Sequence, residues 1–325
     1  MIQSRGEVTL HPPAKINLHL AVGPRRPDGF HGLDSIFAAL DFADSLTISL
    51  HPRGGTDLTL KIEGTFAELH ERGQIFAPIP AEENLVYRAA ELFRAKTGFG
   101  GGIRAELIKR IPSGAGLGGG SSDAAAALLG LNALTGLLPQ EQLPDLAAQL
   151  GSDIPFFIRL TETESPVWGA GGRGEILTAL PPLPPLGVLL AFPGFASHTA
   201  AAYALLDAQS GTLRPKGLSR PKDDETNQWA PPENWNFYND FEDIFLNYGT
   251  ELEKTMYRAI FADLKRVGAS FAALSGSGSA CFGIFPSIKE AEAAEKKLKN
   301  ALYTTKATFF LRPQKSGSTI MANLS

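Results

Sequence analysis

Between residues 102 and 134 the chain runs from an alternating strand, through a cluster of glycines, directly into an alanine-rich helix, and no other stretch restricts its folding as strongly. Gly102-Ile103-Arg104-Ala105-Glu106-Leu107-Ile108 alternates apolar and polar residues, the period of a strand with one face open. Ile111-Pro112-Ser113-Gly114-Ala115-Gly116-Leu117-Gly118-Gly119-Gly120-Ser121-Ser122-Asp123 follows, and Ala124-Ala125-Ala126-Ala127-Leu128-Leu129 is strongly helix-forming, which predicts a helix over Asp123–Leu134. Glycines reach positive φ and let backbone N–H groups turn inward on an anion. A helix starting straight afterwards adds its unpaired N–H groups and the positive end of its dipole. Pro112–Ser122 therefore reads as a phosphate loop, with Ser121 and Ser122 able to donate to phosphate oxygens or to help orient Mg²⁺. The competing reading is a flexible linker, and so decided a helix argues against it.

By spacing alone, Gly114, Gly116 and Gly119 satisfy the dinucleotide pattern G-x-G-x-x-G. The preceding strand is half polar, however, whereas the strands of a parallel dinucleotide-binding sheet are almost continuously apolar. No Gly-Lys-Ser/Thr closes the loop, so it is not a Walker A loop, and a lysine for the terminal phosphates must come from elsewhere.

At 325 residues the chain exceeds what one hydrophobic core usually serves, which predicts two domains. The net charge of −4 lends no support to nucleic-acid binding, and no run of about 18 apolar residues suggests a membrane span. The N-terminus lacks a secretory pattern. One cysteine, Cys281, fits a reducing cytosol and reads as packing within Ser279-Ala280-Cys281-Phe282. Val8–Leu20 reads as a strand with Lys15, Asn17 and His19 opposite Ile16, Leu18 and Leu20. Gly23 to His31 reads as a loop, and Thr47–Leu50 and Leu58–Ile62 as strands paired around a Pro/Gly turn. Asn84 caps a predicted helix to about Lys96, with Leu85, Ala89 and Leu92 on one face and Gly98 beyond its end. A second part restarts at strand Val188–Phe192 and helix Thr199–Asp207. An exposed insertion spans 208–236, and a strand–turn–strand carries Ser275-Gly276-Ser277-Gly278-Ser279 at its tip. Strands and helices mix without a regular repeat, so the class is α+β in two parts, 1–176 and 177–325.

Phosphoryl transfer needs a group to orient or deprotonate the attacking hydroxyl and positive charge near the phosphoryl. Lys15 reads either as that cation or as an exposed-face lysine. Asp153, in Leu150-Gly151-Ser152-Asp153-Ile154-Pro155, reads as a helix N-cap or as the base.

Pro13-Ala14-Lys15-Ile16-Asn17-Leu18, the glycine loop with Ser121-Ser122, and Ser275–Ser279 together resemble the motifs of the GHMP superfamily of small-molecule kinases. Pro13–Leu18 followed by Arg26-Pro27-Asp28-Gly29-Phe30-His31, then Leu150-Gly151-Ser152-Asp153-Ile154-Pro155-Phe156-Phe157, and Asn239-Asp240-Phe241-Glu242 resemble a branch whose substrate is a cytidyl diphosphate polyol. The resemblance implies an N-terminal ribosomal-protein-S5-like domain, a C-terminal ferredoxin-like domain and a site in the cleft between them. It implies ATP with Mg²⁺ as co-substrate, with no tightly bound prosthetic group. It also implies Lys15 and Asp153 as the catalytic pair, Asn17 on the polyol, Phe30 stacked on the cytosine, and His31 hydrogen-bonded to the base edge. Thr199 and Tyr203 would face the cytidine, and the Ser275–Ser279 loop would close over the substrate side. The family usually carries tyrosine where this chain has Phe30. Taken alone, His31 is a turn histidine, Tyr203 helix packing and Ser275–Ser279 a hairpin turn. A kinase for homoserine, mevalonate or a sugar, and a non-catalytic nucleotide sensor, stay open, as does monomer against homodimer. A dehydrogenase is a more distant reading.

Overall fold

The computed structural model describes residues 6–52, 54–63, 79–209, 229–301 and 303–309. Pro12-Pro13 breaks the first predicted strand into β1 (Glu7–Leu10) and β2 (Pro13–Arg25), and β3 (His31–Ala43) pairs antiparallel with β2. The turn between them is thus shorter than the sequence predicts, Arg26 to Phe30. β4 (Ser45–His51) and β5 (Thr56–Ile62) form as expected but do not pair with each other. β6 (Gly102–Lys109) lies between them, antiparallel to β4 and parallel to β5. Burial explains the order. Ile103, Ala105 and Leu107 of β6 all face the core, whereas β5 is mostly exposed and takes the edge.

α1 (Leu85–Thr97) is capped at its start by the Asn84 side chain, which accepts from the Val86 N–H, and at its end by Gly98 at φ 72°. Its buried face is Val86, Ala89, Ala90 and Phe93. Leu85 and Leu92 pack only partly, one step round from the predicted face. α2 spans Gly119–Thr135. It starts four residues before the predicted Asp123, because Ser122 N–H already donates to the Gly118 carbonyl at 2.9 Å. Glycine has poor helix propensity, which hides this first turn in the sequence. α3 (Leu143–Ala148) and α4 (Ile154–Arg159) complete the first helical layer.

β2, β3, β7 (Val167–Gly171) and β8 (Ile176–Ala179) form a sheet, in that order, with a hydrophobic layer on each face. Phe37 and Ala39 of β3 enter the core under α1–α4, while Ile36, Ala38 and Leu40 enter a second core. The second core is shared with Val188, Leu190, Phe282 and Ile284 of the C-terminal sheet. That sheet has the order β10 (Phe271–Leu274), β11 (Cys281–Phe285), β9 (Gly187–Phe192), β12 (Tyr303–Thr308). With helices between β9 and β10 and between β11 and β12, this is the split βαβ order of ferredoxin-like domains. Its other face packs against α5 (Thr199–Gln209), α6 (Asp240–Tyr248), α7 (Glu251–Arg266) and α8 (Ile288–Glu295) in a third core. Cys281 is fully buried there, and burial holds its thiol well above the usual range, so it packs as predicted.

Most of the predicted insertion falls outside the described residues. Its described end is exposed at Ala230, Pro231, Glu233, Asn234 and Asn236, as predicted, but is anchored to the fold by its tryptophans. The Trp229 indole donates to the Pro181 carbonyl at 3.0 Å, and Trp229 and Trp235 pack around Phe237 and Phe271. Among the described residues no helix is long and apolar enough to cross a membrane.

Candidate active site

Because the β2–β3 sheet is covered on both sides, the face of β2 that reads as open in the sequence is buried. Lys15 is 3% exposed, and Asn17 and His19 are buried beside it. A buried ammonium is costly unless paired. Lys15 Nζ donates to Asn17 Oδ1 at 2.5 Å and lies 3.5 Å from Asp153 Oδ2. Burial lowers the Lys15 pKa, and the Asp153 carboxylate opposes that shift. Asn17 is fixed in turn by its amide, which donates to Ser35 Oγ at 2.9 Å. Asp153 occupies the N-cap position of α4, yet its side chain makes no capping hydrogen bond. Its carboxylate turns to Lys15 and remains one-third exposed on the cavity wall.

The glycine loop wraps over this pair. Lys15 N–H donates to the Leu117 carbonyl at 2.9 Å, which fastens β2 to the loop. A Cβ on Gly118 (φ 67°) would stand 3.1 Å from Lys15 Cγ, and one on Gly116 (φ 75°) would stand 2.0 Å from the Ser275 carbonyl oxygen. Gly116 admits no side chain, and one on Gly118 would be strained at its positive φ and crowd Lys15. Ser275 Oγ donates to the Gly116 carbonyl at 2.9 Å, and the Asn239 amide donates to the carbonyls of Leu274 and Gly276, both at 2.8 Å. The Ser275–Ser279 turn is thus docked on the glycine loop, with Gly276 and Ser277 on the cavity wall.

A cavity of about 1230 Å³ runs past these residues. Pro112, Ser113, Gly114, Ala115, Gly116, Leu117, Gly118, Gly119, Gly120 and Ser121 line it, as do Lys15, Asn17, Phe30, His31, Asp153, Thr199 and Tyr203. Ser122 does not. It is fully buried, and its hydroxyl has no partner among the described residues.

At one end, Phe30 stands 50% exposed. The His31 ring is held at both nitrogens, Nδ1 2.9 Å from the Gly23 carbonyl and Nε2 3.2 Å from Asp207 Oδ1. Tyr203 lies 5.1 Å from the His31 ring and 4.9 Å from Phe241. Burial, and then Asp153, push its phenol above the ordinary range. Thr199 Oγ1 lies 3.1 Å from Ser277 Oγ.

Sequence reasoning missed three groups on this wall. Leu60, Ile62, Ile79 and Leu85 give an apolar patch beyond the glycine loop, drawn from an edge strand, an irregular segment and a helix start. Asp207 and Arg173 stand near the Phe30–His31 end. Under the loop, the Lys109 ammonium bonds the Asp44 carboxylate and, at 2.7 Å, Asp123 Oδ2. Asp44 Oδ1 also accepts from the Arg110 and Ile111 N–H groups, so one carboxylate ties the β3–β4 turn to the start of the loop. Burial raises the Asp123 carboxyl and Asp44 adds to that, leaving it at about 8 despite Lys109. Burial pushes Lys109 down, but its two carboxylates outweigh that and its pKa is raised. The signal for this cluster, a lysine closing an otherwise alternating strand, is present in the sequence but does not name its partners.

A glycine-lined cavity beside a lysine–aspartate pair offers backbone donors and charge of the kind phosphoryl transfer uses. Residues 84–159 match the model for the GHMP kinases N terminal domain, and residues 231–304 match that for GHMP kinases C terminal. A 4-diphosphocytidyl-2-C-methyl-D-erythritol kinase of Geobacter metallireducens is 35% identical over 302 residues, covering 90% of this chain and 95% of the relative. One from Solibacter usitatus is 39% identical over 279 residues, 84% and 79% of the two chains. The chain belongs to this family of GHMP kinases. A crystal structure of 4-(cytidine 5'-diphospho)-2C-methyl-D-erythritol kinase superposes on this kinase with a TM-score of 0.69 at 32% identity, over 92% of this chain and 98% of the other. Homoserine kinase from Cytophaga hutchinsonii, at 16% identity and a TM-score of 0.59, shares the fold. The two-domain, α+β kinase architecture and the phosphotransferase activity that the motifs imply are those of the family, with ATP as co-substrate.

Proposed function

We propose that this kinase transfers the terminal phosphoryl of ATP to the 2-hydroxyl of 4-diphosphocytidyl-2-C-methyl-D-erythritol, and that the cavity holds both substrates. The observation that carries this is the Lys15–Asp153 pair at 3.5 Å, set between a phosphate loop and an aromatic–histidine end of the same cavity. The ATP phosphates lie along Pro112–Ser121, against backbone N–H groups and the N-terminus of α2. The adenine lies on the apolar patch of Leu60, Ile62, Ile79 and Leu85.

Asp153 orients the substrate hydroxyl and accepts its proton as the oxygen attacks. Lys15 keeps Asp153 ionised and offsets charge on the reacting oxygens, and Asn17 both holds the Lys15 ammonium and contacts the polyol. Phe30 stacks on the cytosine. Both His31 ring nitrogens have protein partners, so this ring positions the base by its face and its backbone, with Tyr203 behind it. Thr199 and Ser277 close the cytidine side.

Among the described residues no group of three His, Cys, Asp or Glu side chains could hold a metal by itself. Mg²⁺ accompanying ATP fits here as an ion carried by the phosphates, with Ser121 and the unpartnered Asp123 Oδ1 as protein oxygens. When bound it would neutralise phosphate charge. We place the domain division at about residue 176, and the single buried cysteine supports a reducing cytosol.

The test is coupled ADP release with purified protein, ATP and the cytidyl substrate, together with thermal protection by CDP. Turnover and selective protection by CDP over other nucleoside diphosphates are expected. Turnover of homoserine or mevalonate instead would refute the assignment. Asp153→Asn should lose several orders of magnitude in kcat while still binding substrate, and near-normal turnover would remove Asp153 from the base role.

A further inference from the structure

On the cytidyl reading, the substrate brings a diphosphate between its base and its polyol, into a cleft of a chain with net charge −4. Burying that charge without donors would be costly. Most cations on the cavity wall are already committed. Lys15 holds Asp153 and Asn17, and Lys109 holds Asp44 and Asp123. Arg110 pairs with Glu63 at 3.3 Å, and Arg25 donates to the Gly29 carbonyl at 3.2 Å.

Arg173 differs. It sits in the turn Gly172-Arg173-Gly174-Glu175 that joins β7 to β8, and this turn is fixed at several points. Gly174 N–H donates to the Gly171 carbonyl at 2.9 Å, and the Gly172 carbonyl accepts from Leu33 N–H at 2.7 Å, two residues beyond His31. Arg173 N–H donates to Glu175 Oε2 at 2.6 Å. The turn runs alongside both halves of the substrate site. A Cβ on Gly174 would lie 3.4 Å from Asp153 Oδ1, and the Arg173 guanidinium lies 4.8 Å from the centre of the Phe30 ring. Its ion-pair contact among the described residues is Nε to Glu175 Oε1 at 3.7 Å, too long for a hydrogen bond, and the side chain is 37% exposed.

We propose that Arg173 binds the substrate diphosphate, bridging the base end at Phe30 and the reacting end at Asp153. A guanidinium presents paired N–H donors that match phosphate oxygens, and this one lies over the Phe30 ring with its Nε beyond hydrogen-bond reach of Glu175. The fixed turn sets its distance from Asp153, so holding the diphosphate also sets how far the polyol reaches toward Lys15.

This inference depends on the cytidyl reading, and the experiment separates the two. Binding of cytidine, CMP and CDP is measured by calorimetry for wild type, Arg173→Met and Arg173→Lys. Wild type should prefer CDP to cytidine. Arg173→Met should lose about tenfold or more for CDP, with cytidine affinity kept within about twofold, and Arg173→Lys should recover part of the loss. CDP affinity unchanged in Arg173→Met, or CDP and cytidine weakened equally, would overturn the inference alone. Wild-type protein that binds neither cytidine nor CDP would overturn the cytidyl reading and this inference with it.

Discussion

Replacing Lys15 by methionine separates what the lysine does for catalysis from what it does for the fold. At 3.5 Å from Asp153, the pair is worth about 5 kcal/mol at an effective dielectric of about 20. Asp153 is one-third exposed, so solvent reduces this to about 2–3 kcal/mol. Against it stands the burial of an ammonium only 3% exposed, and the lowered pKa shows that burial prevails. A neutral side chain of similar length removes that cost. It also strands Asn17 Oδ1, at about 1–3 kcal/mol. These effects nearly cancel, so Lys15→Met should unfold within about 2 kcal/mol of wild type in urea. Turnover should behave differently, because a cation aimed at transition-state charge is worth about 100- to 1000-fold in kcat. The expected pair of results is therefore a near-normal unfolding midpoint and a kcat lower by about that factor in the coupled ADP assay. Destabilisation beyond about 4 kcal/mol would make Lys15 a structural residue, and wild-type kcat would refute its catalytic role. In the wild type, the lowered pKa also places the alkaline limb of the pH–rate profile below the ordinary lysine value of 10.5.

Two further perturbations test the frame around the pair. Gly116→Ala places a Cβ 2.0 Å from the Ser275 carbonyl at φ 75°, so it should cost about 3 kcal/mol and raise KM for ATP. An unchanged denaturation midpoint would show that the docking of the Ser275–Ser279 turn is not needed. Asp123→Asn tests the buried cluster. With its carboxyl at about 8 in the fold and an ordinary value of 3.8 unfolded, the native state binds the extra proton between those pH values. Stability must therefore fall as pH rises through that window, by up to about 1.4 kcal/mol per unit. Asp123→Asn should flatten this slope in a urea titration series, and an unchanged slope would show that Asp123 is not the group responsible.

What the sequence determines by itself is what a few neighbouring residues settle among themselves. The glycine loop with its following helix, the Asn84 and Gly98 caps and the Ser275–Ser279 hairpin are all legible, because torsion limits and orphan N–H groups act over a few residues. The family resemblance adds Lys15 and Asp153 as partners, although 138 positions apart in the chain they show no local sign of meeting. Only the tertiary structure decides which surfaces are covered. β6 displaces the expected β4–β5 pairing because its alternate side chains are the ones that bury. The Lys15 face of β2, shared with Phe37 and Ala39 of β3, is closed by the helical layer and the glycine loop, and this turns an ordinary lysine into a cation held against Asp153. Arg173, Asp207 and the Lys109 cluster were illegible for the same reason. Each acquires its role from groups distant in sequence, through burial and charge that no local pattern encodes.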